Sequence, residues 1–183
     1  MNTLLSFKTN TKLLLAAAML FLAFGAQAQY KTKRIGNKPR NGSSNSTFAV
    51  KKGDQVAIKM DAGKKPVQLL KLDFGANNTR SDTVKFKVNV YPFKDVTPGK
   101  NLVTQEIIGQ IIPGKQRVEV NLEPYNITAS GDILVAIEWL NNRGGAEMSF
   151  SIGLFNGGTY HYEIDTWKKM PVAGVDFNVL VKK

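Results

Sequence analysis

From Phe48 to the C-terminus, apolar residues recur at nearly every second position. Val84, Phe86, Val88 and Val90 alternate with Lys85, Lys87 and Asn89, and Val56, Ile58 and Met60 with Gln55, Ala57 and Lys59. Leu70, Leu72 and Phe74, then Val118, Val120 and Leu122, then Phe177, Val179 and Val181 repeat the pattern. A period of two sends successive side chains to opposite faces of an extended chain, so each segment is predicted as a strand with one face on a core. Turn residues separate the segments: Lys52-Gly53-Asp54, Ala62-Gly63, Gly75 to Asn78, Pro98-Gly99, Pro113-Gly114, Asn156-Gly157-Gly158 and Ala173-Gly174. No helical period is sustained after residue 28. Many short strands at this spacing predict an all-β fold, an antiparallel two-sheet jelly-roll-like β-sandwich.

Gly131 to Leu140 breaks the alternation. Ile133, Val135, Ile137 and Trp139 share one face, while Leu134, Ala136 and Leu140 share the other with Glu138. A strand apolar on both faces must be covered on both, which predicts a central position. Asn141 to Gly145 and the alternating Met148, Phe150, Ile152 and Leu154 then predict a hairpin with the next strand.

The N-terminus has another character. Lys8 and Lys12 precede an apolar run from Leu13 to Phe24, and Ala26-Gln27-Ala28 follows. The run is too short to cross a bilayer comfortably, and the pattern predicts a signal peptide over residues 1–28, cleaved after Ala28. The expected location is therefore exported, periplasmic or extracellular, with no transmembrane segment in the mature chain. Residues 29–47 form a basic polar arm with Lys31, Lys33, Arg34, Lys38 and Arg40. It reads as a solvated leader with a short edge strand near Ile35, or as a contact for an anionic polymer or membrane surface. The sandwich is assigned to residues 48–183. The net charge is +11 and cysteine is absent, so stability comes from packing rather than disulfides.

Several segments follow one another in a familiar order: Lys51 to Ile58, Thr83 to Tyr91, Pro98 to Leu102, Val118 to Ile127, Gly131 to Trp139, and Thr159-Tyr160 through Trp167. Together they resemble the β-sandwich module of secreted Bacteroidetes proteins that often stands behind a carboxypeptidase-regulatory-like domain. Here the module looks stand-alone. The resemblance spans most of residues 35–183 and implies a jelly-roll-like sandwich in the cell envelope or outside the cell. It implies no catalytic residues.

Catalytic chemistry finds little support. His161 is the only histidine, no Gly-x-Ser-x-Gly elbow accompanies it, and its spacing places it opposite Tyr160 and Tyr162, as a solvent-facing residue. One histidine without cysteine makes a poor zinc set. Asp54, Asp132 and Asp176 could offer oxygen to calcium but read more simply as turn and strand-end residues, so no metal and no cofactor is assigned. Glu138 could pair with Glu147 or Glu163 as a glycosidase does, but a structural pair with Arg143 or a lysine is the expectation. The candidate ligand-binding residues are Tyr160, Tyr162, Trp167, Lys168 and Lys169, with Tyr91 a further aromatic. Aromatic faces stack on sugar rings and lysines attract acidic groups, which points to an acidic glycan or other envelope polymer. Nucleic acid is not expected. The leading function is a non-catalytic binding or accessory module. The alternatives are a polysaccharide- or peptide-directed hydrolase and a structural, adhesin-like envelope component.

Overall fold

The computed structural model describes residues 30–38, 44–94, 97–142 and 147–183. The predicted signal peptide, Arg40 and Arg143 lie outside these residues, as does the side chain of Glu147. The strands begin with β1 (Thr32–Gly36), β2 (Asn45–Ala49), β3 (Gln55–Asp61), β4 (Val67–Asn78) and β5 (Val84–Lys94). Next come β6 (Thr97–Pro98), β7 (Ile108–Ile111), β8 (Gly114–Asn121), β9 (Thr128–Ala129) and β10 (Asp132–Trp139). The last are β11 (Glu147–Leu154), β12 (Thr159–Glu163), β13 (Thr166–Met170), β14 (Ala173–Val175) and β15 (Asn178–Lys182).

They form two antiparallel sheets, and the fold is an all-β sandwich. The eight-stranded sheet runs β1-β15-β4-β11-β14, with β2 on β11 and β8 and β9 on β4. The seven-stranded sheet runs β13-β12-β3-β10-β5-β6, with β7 on β5. β10 is central, as its two apolar faces require.

The alternation fixes which residues meet between the sheets. Val84, Phe86, Val88 and Val90 are all buried, whereas Lys85 is exposed and Lys87 half-buried. Phe74, Phe86, Phe150 and Phe177 form a tilted and edge-on aromatic cluster, with Phe74–Phe177 centroids 4.7 Å apart and Phe74–Phe86 5.7 Å apart. Burying each such ring contributes about 1.5–3 kcal/mol.

Four expectations change. β10 and β11 make no hairpin: β10 pairs with β3 and β5, while β11 lies in the other sheet. Their apolar faces instead meet across the core, where Trp139 stacks on Phe150 at 6.1 Å. Leu70 is only half-buried, because the β4–β15 register shifts between Leu180 and Val181. Leu69 and Leu72 consequently both face the core. The sandwich also starts before residue 48, since β1 pairs with β15 and β2 with β11. Only Ile35 of β1 is buried, so this edge strand leaves a weak apolar period. Finally, Asp73 points away from the core and is nevertheless buried. Arg34 and Arg117 both pair with it, and Arg117 also reaches Asp176 at 2.7 Å. Burial works against the Arg117 charge, but hydrogen bonds to Asp176 and Asp73 outweigh it and raise its pKa. Arg34 is thus a clamp on β1 rather than a solvated arm residue.

Candidate functional site

The outer face of the seven-stranded sheet carries a second apolar layer. Antiparallel pairing aligns its side chains in rows. One row reads Trp167, Tyr162, Gln55, Glu138, Lys87, and the next Lys169, Tyr160, Ala57, Ala136, Asn89. Ala57 and Ala136 leave space at the centre, and larger neighbours lie over it. Tyr160, Phe93 and Leu134 are buried with the two alanines, and Tyr91 and Trp167 pack on them half-exposed. The ring centroids are 5.2 Å apart for Phe93–Tyr160, 5.3 Å for Tyr162–Trp167 and 6.1 Å for Tyr91–Trp167. Lys169 Nζ lies 5.5 Å from the Tyr160 ring centroid. Small residues beneath and aromatic residues above make a rigid platform whose upper rings remain partly open to solvent.

A polar network borders the platform. Tyr91 Oη donates to Gln55 Oε1 at 3.0 Å, and Asn89 Nδ2 donates to Glu138 Oε2 at 2.8 Å. Asn101 Nδ2 donates to Asn89 Oδ1 at 2.9 Å. Lys87 closes the series on Glu138 at 2.9 Å. Burial pushes the Tyr91 phenol above its usual pKa, and the hydrogen bond to Gln55 opposes that only in part. Tyr162 Oη donates to Asp165 at 3.1 Å, which raises its pKa. Lys59, on the same outer face, is held above the usual amine range by its hydrogen bond to Asp132 at 2.9 Å. Beyond Asn89 and Asn101 a polar pocket of about 200 Å³ continues past Thr104, Gln105 and Glu106.

Four of the five predicted residues therefore converge: Tyr160, Tyr162, Trp167 and Lys169. Tyr160 is the most buried of them, at 6% exposure, and serves mainly as support. Lys168 does not join them. It pairs with His161 across β12–β13 and shares the opposite face, where it lies 4.0 Å from Glu163. The sequence pattern does not single out Gln55, Asn89, Asn101 and Phe93. Asn89 and Tyr91 alternate on the outer side of β5, and that spacing is the signal that could find them.

His161 does lie opposite the tyrosines, but its expected exposure is incorrect. It is half-buried against Phe48, with ring centroids 6.5 Å apart, and its Nδ1 is buried. Phe48 of β2 covers the inward side of this strand, so that side does not face open solvent. Glu138 pairs with a lysine as expected. Strand alternation puts it on the face opposite Glu163, which pairs loosely with Lys51 at 3.5 Å. Among the described residues, no three acidic or histidine side chains form a metal-binding group. Asp132 is engaged by Lys59, and Asp176 by Arg117 and the Gly75 amide.

No protein-family model matches the sequence, and neither does any curated protein. Among solved structures, the fold is similar to the clostridial cysteine protease Cwp84 after propeptide cleavage. That comparison has a TM-score of 0.60 and 13% identity, and covers 83% of this chain and 40% of the other. A second structure holds the cysteine protease and lectin-like domains of Cwp84, a surface layer associated protein of Clostridium difficile. It matches with a TM-score of 0.53 and 13% identity, over 79% of this chain and 37% of that one. The likeness is one of fold, and the chain spans less than half of these neighbours. It contains no cysteine, so a cysteine nucleophile has no counterpart here.

Proposed function

We propose that this protein is a non-catalytic glycan-binding module of the cell envelope or extracellular space, with an acidic polysaccharide as its ligand. The observation that carries the reading is the row Trp167, Tyr162, Gln55, Glu138, Lys87 on one sheet face. Half-exposed rings offer flat apolar surface to the C–H faces of a sugar. Gln55 and Asn89 are buried, and their amides bond to Tyr91, Glu138 and Asn101, which holds the platform rigid beside the rings. Lys169 supplies positive charge at the platform, Lys87 and Lys59 being paired with Glu138 and Asp132, and the chain's net positive charge adds a long-range attraction to an acidic polymer. One structural neighbour, the two-domain Cwp84 structure, includes a lectin-like domain, which agrees with this use of the fold. Glu138 is held by Lys87 and Asn89, which suits a positioning role in a binding surface.

The test is gel retardation with polygalacturonate, hyaluronan and neutral dextran in the matrix. The parent should be slowed by an acidic polymer, and folded Tyr162→Ala should recover most of its free mobility. Equal mobility of parent and variant in every gel would overturn the reading.

A further inference from the structure

A second, smaller cavity adjoins the platform on the other side of the sheet. It measures about 70 Å³, and Phe48, Val56, Trp139 and His161 line it, with Asp54 and Glu163 at the rim. Gln55 and Tyr162 border both the cavity and the outer row. Two polar atoms of residues that line it are buried and have no hydrogen-bond partner: the indole Nε1–H of Trp139 and the imidazole Nδ1 of His161. Trp139 is 0% exposed, so bulk solvent does not serve its donor. An unpaired buried donor of this kind costs about 1–3 kcal/mol. The rim is reachable, because Asp54, Tyr162 and Glu163 are half-buried and Ala49 is exposed.

We infer that this cavity is a subsite for the acetamido group of an N-acetylated sugar. The inference rests on the glycan-binding reading and names the substituent that the ligand carries. A secondary amide carries an acceptor oxygen and a donor N–H on either side of its carbonyl carbon, pointing in opposite directions. Its carbonyl oxygen accepts from Trp139 Nε1–H. Its N–H donates to His161 Nδ1, which is an acceptor in the Nε2–H tautomer, or to the Asp54 carboxylate at the rim. The methyl group packs against Phe48 and Val56. The cavity holds an acetamido group but not a sugar ring, so the ring stays outside at the rim formed by Asp54 and Glu163. A site that hydrogen-bonds a substituent discriminates strongly against the analogue lacking it, because its own buried groups are then left unpaired.

The protein's two tryptophans separate this inference from the one beneath it. Trp167 reports the platform and Trp139 the cavity. Indole N–H signals of 15N-labelled protein are followed during titration with hyaluronan oligosaccharides, which carry acetamido and carboxylate groups, and with oligogalacturonate, which carries carboxylates alone. Hyaluronan should shift both indole signals, and oligogalacturonate only that of Trp167. Trp139→Phe keeps the ring on Phe150 and removes the donor. It should lower the preference for hyaluronan about tenfold, the scale of one buried hydrogen bond. A Trp139 signal unmoved by hyaluronan while Trp167 shifts would mean that the cavity holds water only. The subsite would fall and the platform would stand. If neither signal moves with either glycan, both readings fall.

Discussion

Asp54 illustrates how a single side chain at the cavity rim responds to its surroundings. Burial opposes its ionisation and the nearby Glu163 charge adds to that, while Lys51 and His161 only partly compensate, so its pKa is raised. The folded protein therefore holds this proton more tightly than the unfolded chain. The resulting penalty is absent below the ordinary aspartate range of about pH 4, and grows as the pH rises through it. Asp54→Asn should raise Tm at about pH 7 and leave it unchanged near pH 3, as read by thermal unfolding at both. Equal shifts at the two values would mean that the carboxylate charge is not what matters. At this scale, the sequence locates four residues of the platform because a period of two places Tyr160 with Tyr162, and Trp167 with Lys169. The same rule sends Lys168 and His161 to the other face. Facing away from the tyrosines, however, does not mean facing water. The cover over His161 comes from Phe48, which is 113 positions earlier in the chain.

Among the elements, β5 tests the register most simply. Phe86 is buried against Phe74, and Gly109 of β7 sits over the Phe86 ring, where even a Cβ would not fit. Phe86→Ala should cost about 3–5 kcal/mol in a denaturant titration, in line with large-to-small changes in cores. Lys85→Ala should cost less than about 0.5 kcal/mol, as an exposed substitution. Comparable losses would place β5 on the wrong face. Element existence is legible because β3, β5, β8 and β15 each keep an apolar face and β10 keeps two. Pairing is less so. The Asn/Gly cluster after Trp139 reads as a hairpin turn, yet β11 crosses to the other sheet, because its apolar face is needed opposite β10 rather than beside it. The extra residue in β4 is also hidden, since Leu69, Leu70 and Leu72 are all apolar and either register fits the sequence.

Across the whole molecule, charge and topology act together. Arg34 and Arg117 bury two aspartates on the outer face of the eight-stranded sheet, which ties β1, β4 and β8. The outer face of the seven-stranded sheet instead carries aromatic rings and amides. The two faces of one sandwich are thus built differently, one closed by ion pairs and one left partly open. Among the described residues no helix is long and apolar enough to cross a membrane. The central claim is that the open face binds an acidic glycan through its rings, not merely through the excess of positive charge. The most direct measurement is the affinity of parent and Trp167→Ala for hyaluronan at about 0.5 M salt, where exposed charges are largely screened. Circular dichroism must first establish that both are folded. The parent should retain measurable binding, and Trp167→Ala should be about tenfold weaker, as expected for one lost aromatic contact. Equal affinity of the two folded proteins, or loss of all parent binding at that salt, would contradict the claim.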